Sequence, residues 1–152
     1  MATLKDLYPA VFRQFMDKIY TTFDELKIYP YEVYILDSNV QSPCLFLGSI
    51  SLPNEGFCGG IINMQMIYNF TFATRKSDVQ AMDATSFILE QYGLFLDTFD
   101  ANEYDFTVGS GTIPMRGDII DTSPRMQMID DGAYGAKTLA FEYSLETVTN
   151  NS

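Results

Sequence analysis

The sequence predicts an α+β fold, with two main helices packed on a largely antiparallel sheet in the order α-β-β-β-α-β-β-β. Three observations predict it. Apolar residues recur every three or four positions in two stretches, one near the N-terminus and one in the middle of the chain. Elsewhere they alternate with polar residues at a period of two, in runs separated by Gly, Pro, Asn and Asp. No internal repeat or low-complexity tract breaks this order. The 152 residues, 47% of them hydrophobic, suffice for one domain, residues 1–152, with its own core.

The first helix is expected over Thr3 to Leu26, because Leu4, Leu7, Tyr8, Val11, Phe12, Phe15, Ile19, Phe23 and Leu26 fall on one helical face. Pro9 lies inside that pattern and is read as the true first turn of the main helix, with Leu4 to Tyr8 forming a short preceding turn or kink. Thr21 and Thr22 offer an earlier end. Tyr31 to Asp37, bounded by Pro30 and by Ser38-Asn39, is a strand candidate, and Cys44 to Leu52 is a second. The three glycines and the proline of Pro53 to Gly60 predict a loop with Phe57 at its tip.

The clearest strand follows, with Met64, Met66, Tyr68, Phe70 and Phe72 on one side and Gln65, Asn69, Thr71 and Arg75 on the other. Ser77-Asp78 supplies an N-cap and an early carboxylate for a second helix reaching about Phe99. Its expected inward stripe is Val79, Met82, Leu89, Tyr92, Leu96 and Phe99, while Asp83, Glu90 and Asp97 align as a narrow acidic line with Phe87 and Leu94 beside it. Tyr104 to Val108, Ile113 to Ile120, Arg125 to Ile129 and Thr138 to Val148 are further strand candidates. Gly109-Ser110-Gly111 and Asp130-Asp131-Gly132 are turns between them.

Composition excludes much chemistry. Nine basic residues against 20 acidic ones give a net charge of −11, so the chain lacks the clustered Lys and Arg that neutralise nucleic-acid phosphates. The absence of histidine removes Ser-His-Asp and Cys-His hydrolysis, His-ligated metals and imidazole acid-base catalysis. Cys44 and Cys58 cannot make a zinc site alone and are expected as buried free thiols of a protein that stays in the cytosol, since no secretory signal is visible. The charge-free stretch from Gly56 to Thr74 carries Asn63, Gln65, Asn69 and Thr71 at strand spacing, so no membrane span is expected.

The acidity is uneven. Asp78 to Asp131 holds eleven carboxylates and two arginines. A solvated face is the plainest use for them. A carboxylate pair or a divalent-cation site built from Asp118, Asp121, Asp130 and Asp131 is the catalytic alternative, although the alternate-acid spacing of a calcium loop is missing. Arg116-Gly117-Asp118 and Asn69-Phe70-Thr71 match an adhesion and a glycosylation tripeptide, and both matches are read as chance. No motif specifies an active site, and neither a catalytic residue, a cofactor nor a metal is expected.

The N-terminal helix Leu4-Lys5-Asp6-Leu7-Tyr8-Pro9-Ala10-Val11-Phe12, the meander, the second long helix and the final strand Leu139-Ala140-Phe141-Glu142-Tyr143-Ser144-Leu145 together resemble the tail terminator (tail completion) proteins of tailed bacteriophages. The resemblance lies in element order and size over nearly the whole chain. It implies a non-enzymatic virion subunit, made in the host cytoplasm, that forms a ring, usually a hexamer, on the head-proximal end of the tail tube. Such a ring ends tube growth, contacts the tail tube protein and the head-tail connector, and passes DNA without specific binding. On this view Phe57, Phe87 and Leu94 serve the subunit or tube interface, and Asp83, Glu90 and Asp97 line the lumen or an outer surface. A tail tube or connector subunit is the neighbouring alternative, followed by a carboxylate-dependent enzyme and by an acidic inhibitor that mimics DNA.

Overall fold

The computed structural model describes residues 3–53, 56–58, 61–78, 81–120, 124–129 and 135–148; of residues 56–58, 61–62 and 81–82 it describes the backbone alone. Two helices, α1 (Leu4–Thr22) and α2 (Ala81–Phe99), are set among nine strands in the described residues. These are β1 (Lys27–Tyr29), β2 (Cys44–Ser51), β3 (Gly56–Cys58), β4 (Ile61–Asn63), β5 (Gln65–Arg75), β6 (Asn102–Val108), β7 (Gly111–Ile119), β8 (Met126–Ile129) and β9 (Ala136–Thr147). The α+β class is as the sequence predicts.

Seven strands form one sheet in the order β1-β2-β5-β9-β7-β6, with β8 also paired to β9. Every pairing is antiparallel except the short parallel contact of β1 with β2. The twelve residues of β9 explain the branch: its first part, Ala136 to Leu139, pairs β8 and its last part, Tyr143 to Thr147, pairs β7.

One face of the sheet is the core. Tyr68, Phe70 and Phe72 of β5 and Phe141, Tyr143 and Leu145 of β9 alternate inward, as the period-two pattern requires, and both helices lie against them. Phe15 of α1 sits at the centre, its ring 5.0 Å from Tyr68, 5.3 Å from Tyr143 and 5.7 Å from Phe99. From α2, Phe95 meets Phe141 at 4.7 Å and Tyr143 at 5.3 Å. Offset and edge-on aromatic pairs of this kind add to the burial of their area, so Phe15 and Phe95 key the helices to the sheet.

Five expectations are corrected. First, α1 passes through Pro9 without a separate preceding turn; Pro9 is exposed, where water can replace the hydrogen bond that it cannot donate. The helix ends at Thr22, and Phe23 closes it by donating its N–H to the Ile19 carbonyl at 3.0 Å.

Second, Tyr31 to Asp37 is not a strand. Turn bonds Asp37 N–H to Tyr34 O (2.9 Å) and Val40 N–H to Asp37 O (3.0 Å) satisfy its backbone, and the Asp37 carboxylate accepts the N–H of Asn39 at 2.9 Å. The Arg75 guanidinium donates to the carbonyls of Ile35 and Asp37 at 3.2 and 2.9 Å. This loop covers part of the sheet's other face, where Ile35 and Val40 join Tyr29, Cys44, Ala73 and Ala136 in a second, smaller core. The apparent alternation comes from Ile35 pointing inward while Tyr31 and Tyr34 stay exposed.

Third, Pro53 to Gly60 is not all loop: Gly56 to Cys58 pairs antiparallel with Ile61 to Asn63. Gly59-Gly60, between two short runs, is a hairpin signal that the glycine count had hidden. Fourth, the inward stripe of α2 is Ala84, Ile88, Gln91, Phe95 and Phe99, about 100° round the helix from the expected one, and Leu89 is 55% exposed. Fifth, Phe87 is partly buried against the main core and is not spare surface.

Cys44 is a buried free thiol. The side chains of Phe57, Cys58, Met82 and the whole of Val79, Asp121, Asp130 and Asp131, with the Asp130-Asp131-Gly132 turn, lie outside the described residues. Among the described residues no helix is long and apolar enough to cross a membrane.

Candidate subunit interface

Among the described residues three surfaces remain uncovered once the core is built. The first is the outward side of α2. Asp83, Glu90 and Asp97 are all exposed along it, as the seven-residue spacing predicts. Leu94, 39% exposed, stands beside Glu90 and Asp97, and Leu89 projects from the opposite flank. Between the two leucines Gly93 has no atom within 4 Å of the place a Cβ would occupy. Glycine in mid-helix costs about 1 kcal/mol relative to alanine, and no contact among the described residues requires it here.

The second surface is the groove between α1 and β6, the edge strand of the sheet. The two-residue turn Gly109-Ser110 joins β6 to β7, with Gly109 at φ +62°, a conformation that glycine alone adopts freely at the first position of a type II′ turn. Counting back from that turn, Thr107, Asp105 and Glu103 direct their backbone groups away from β7. Gln14 of α1 meets the first of them in both senses: its amide donates to Thr107 O at 2.6 Å, and its carbonyl accepts from Thr107 N–H at 2.9 Å. The side chain thus stands in for one residue of a further strand and fixes α1 along the edge.

On either side of Gln14 the groove opens. Toward the start of α1 it is a cleft of about 990 Å³ bounded by Lys5, Pro9, Ala10 and Arg13 and by the hairpin tip. Toward the end of α1 it is a cleft of about 690 Å³, where the ammonium of Lys18 lies 5.7 Å from the Tyr104 ring centre.

The third surface is the open part of the sheet's other face. Cross-strand register brings Glu103 opposite Arg116 and Arg116 opposite Glu146. Arg116 pairs with Asp118 at 3.0 Å, and that carboxylate holds the guanidinium above its ordinary value. Glu103, Asp105, Glu142 and Glu146 are exposed on the same face, so a single arginine stands among carboxylates there.

Among the described residues no group of three or more Cys, Asp or Glu could hold a metal ion. The strongly shifted groups among the described residues are core tyrosines and Cys44, whose ionisation burial suppresses. Of the residues singled out in the sequence, Asp83, Glu90, Asp97 and Leu94 share one helix side and Phe87 turns toward the core. The groove and the Gln14 clamp went unread in the sequence, because a glutamine on a helix and a threonine 93 residues later carry no joint pattern.

No protein-family model matches the chain, and no curated protein matches it.

Proposed function

We propose that the chain is a structural subunit of a phage tail, a terminator that closes into a ring on the head-proximal end of the tail tube and meets the head-tail connector. The observation that carries the proposal is the outward side of α2, where exposed leucines, a mid-helix glycine and three aligned carboxylates form a helix face that no described residue of the same subunit covers. A closed ring built from one repeated head-to-tail contact gives such a face a partner. The acidic open face of the sheet, with Glu103, Asp105, Glu142 and Glu146, suits a lumen better than the α2 line does, because it carries no exposed leucines. A wall of carboxylates repels passing phosphates and lets DNA move through without binding it.

Electron microscopy of the purified chain tests this. Rings with a central opening are expected. Single globules at all micromolar concentrations, or filaments that lengthen without limit as a tube subunit's would, contradict it.

A further inference from the structure

The cleft at the start of α1 and the outward side of α2 match each other. Lys5 and Arg13 are exposed cations with no hydrogen-bond or ion-pair partner among the described residues, in a chain that has only nine cations. They stand eight residues apart, about 12 Å along the helix, with Pro9 and Ala10 between them on the cleft wall. Asp6, the one carboxylate among the described lining residues, accepts a hydrogen bond from Thr3 at 3.1 Å, and the two cations leave the cleft net positive. On α2, Glu90 and Asp97 stand seven residues apart, about 10.5 Å, with the partly exposed Leu94 between them. Along the helix axis one surface reads cation, small apolar, cation; the other reads carboxylate, leucine, carboxylate. Along the axis the two spacings differ by about 1.5 Å, and round the axis Lys5 and Arg13 stand about 80° apart against about 20° for Glu90 and Asp97, so the long Lys and Arg stems have to swing toward one line to meet both carboxylates.

We infer that the occupant of the α1 cleft is α2 of a second copy of this chain, with Leu94 seated against Pro9 and Ala10 and with Glu90 and Asp97 paired to Lys5 and Arg13. The inference rests on the ring proposed above and specifies its contact. The two patches share no residue, so every subunit offers one of each, as a head-to-tail contact that repeats around a ring requires. Seating α2 in this way covers Leu94 and takes two carboxylates and two cations out of contact with bulk solvent as compensated pairs. The same pairing sets direction: two cation clefts, or two acidic helices, repel each other.

Charge exchange tests it with the full chain. K5E/R13E carries acidic groups on both patches, E90K/D97K carries basic groups on both, and K5E/R13E/E90K/D97K carries both signs exchanged. All four side chains are exposed, so urea midpoints near that of the unaltered chain establish that the variants fold. By native mass spectrometry the unaltered chain is expected as a ring. Each double variant is expected to dissociate at concentrations at least tenfold higher, and the quadruple variant, or an equimolar mixture of the two doubles, is expected to recover the assembly. Rings that persist in both double variants overturn this contact and leave the ring itself standing. Double variants that dissociate without recovery in the quadruple variant overturn the pairing of these two patches. A monomeric unaltered chain overturns both the contact and the ring.

Discussion

A Cβ placed on Gly117 would lie 1.6 Å from the hydroxyl oxygen of Tyr143 and 2.3 Å from the ring carbon that bears it. The tyrosine cannot yield, because its ring is stacked on Phe15 at 5.3 Å and its hydroxyl donates to the Phe99 carbonyl at 2.5 Å. With that proton committed, the hydroxyl of Tyr104, 2.9 Å away, donates in turn to the Tyr143 oxygen. A strand glycine, two core tyrosines and the last carbonyl of α2 are therefore one unit.

G117A should cost about 3 kcal/mol, the upper end for inserting a methyl group into a packed core, read as a fall in the urea midpoint at unchanged slope. Adding Y143F should not restore stability, since the ring carbon still lies within 2.3 Å of the new methyl group. Full recovery in G117A/Y143F contradicts this account of the glycine.

Y143F should destabilise more than Y104F. The first leaves the buried Phe99 carbonyl without its donor, about 1 to 3 kcal/mol. The second removes only a donor to an oxygen that keeps its other bond, about 1 kcal/mol. Chemical denaturation of the two variants ranks them, and the reverse order contradicts the direction assigned to the hydrogen bonds.

Alkaline pH should weaken the fold in a defined window. Burial pushes the Cys44 thiol up to about 11 from an ordinary value of 9.0, with Arg75 pulling it partly back. The unfolded chain therefore releases this proton first. The stabilising contribution is complete below pH 9, declines as pH rises, and is gone above about pH 11. Tyr68, Tyr104 and Tyr143, also raised chiefly by burial, add losses in the same direction above pH 10. Replacing Cys44 by Ala should flatten the decline between pH 9 and 10, measured as the urea midpoint against pH.

Arg75 should hold down the 31–41 loop. Its guanidinium bridges the carbonyls of Ile35 and Asp37 and pairs with Asp78 at 3.3 Å. R75M should raise amide hydrogen exchange in that loop, with a stability loss of about 2 kcal/mol. R75K should recover little of it, because one ammonium cannot replace both Nη1, which serves the two carbonyls, and Nε, which meets Asp78. Unchanged exchange in R75M would remove Arg75 from this role.

Two backbone positions predict gains. At the end of α2, Ala101 has φ +55°, where glycine is favoured, so A101G should stabilise by up to about 1 kcal/mol. G93A should gain a similar amount within the single subunit, since no described atom of it contests the added methyl group. Thermal unfolding of both variants checks the pair.

Legibility in the sequence followed the physics of each segment. Where one face is dry and the other wet, as in β5 and β9, period two located the strand and its inward residues. The α2 stripe was misphased because Leu89 and Leu96 outweighed Ala84 and Ile88, and small core residues mark an inward face only through what packs on them. The 31–37 loop imitated a strand because Ile35 points inward between exposed tyrosines, while Arg75, which anchors the loop beside its local turn bonds, is distant in the chain. The acidic line of α2 was legible from spacing alone. The Gln14 clamp and the α1 cleft were not, because they exist only once β6 becomes an edge.

The central claim is that this chain is a ring subunit, and the mass of its assembly tests that most directly. Native mass spectrometry of the purified protein across a micromolar concentration range should show one closed species of fixed copy number that does not grow as protein is added. A monomer throughout that range, or a ladder of oligomers lengthening with concentration, would contradict it.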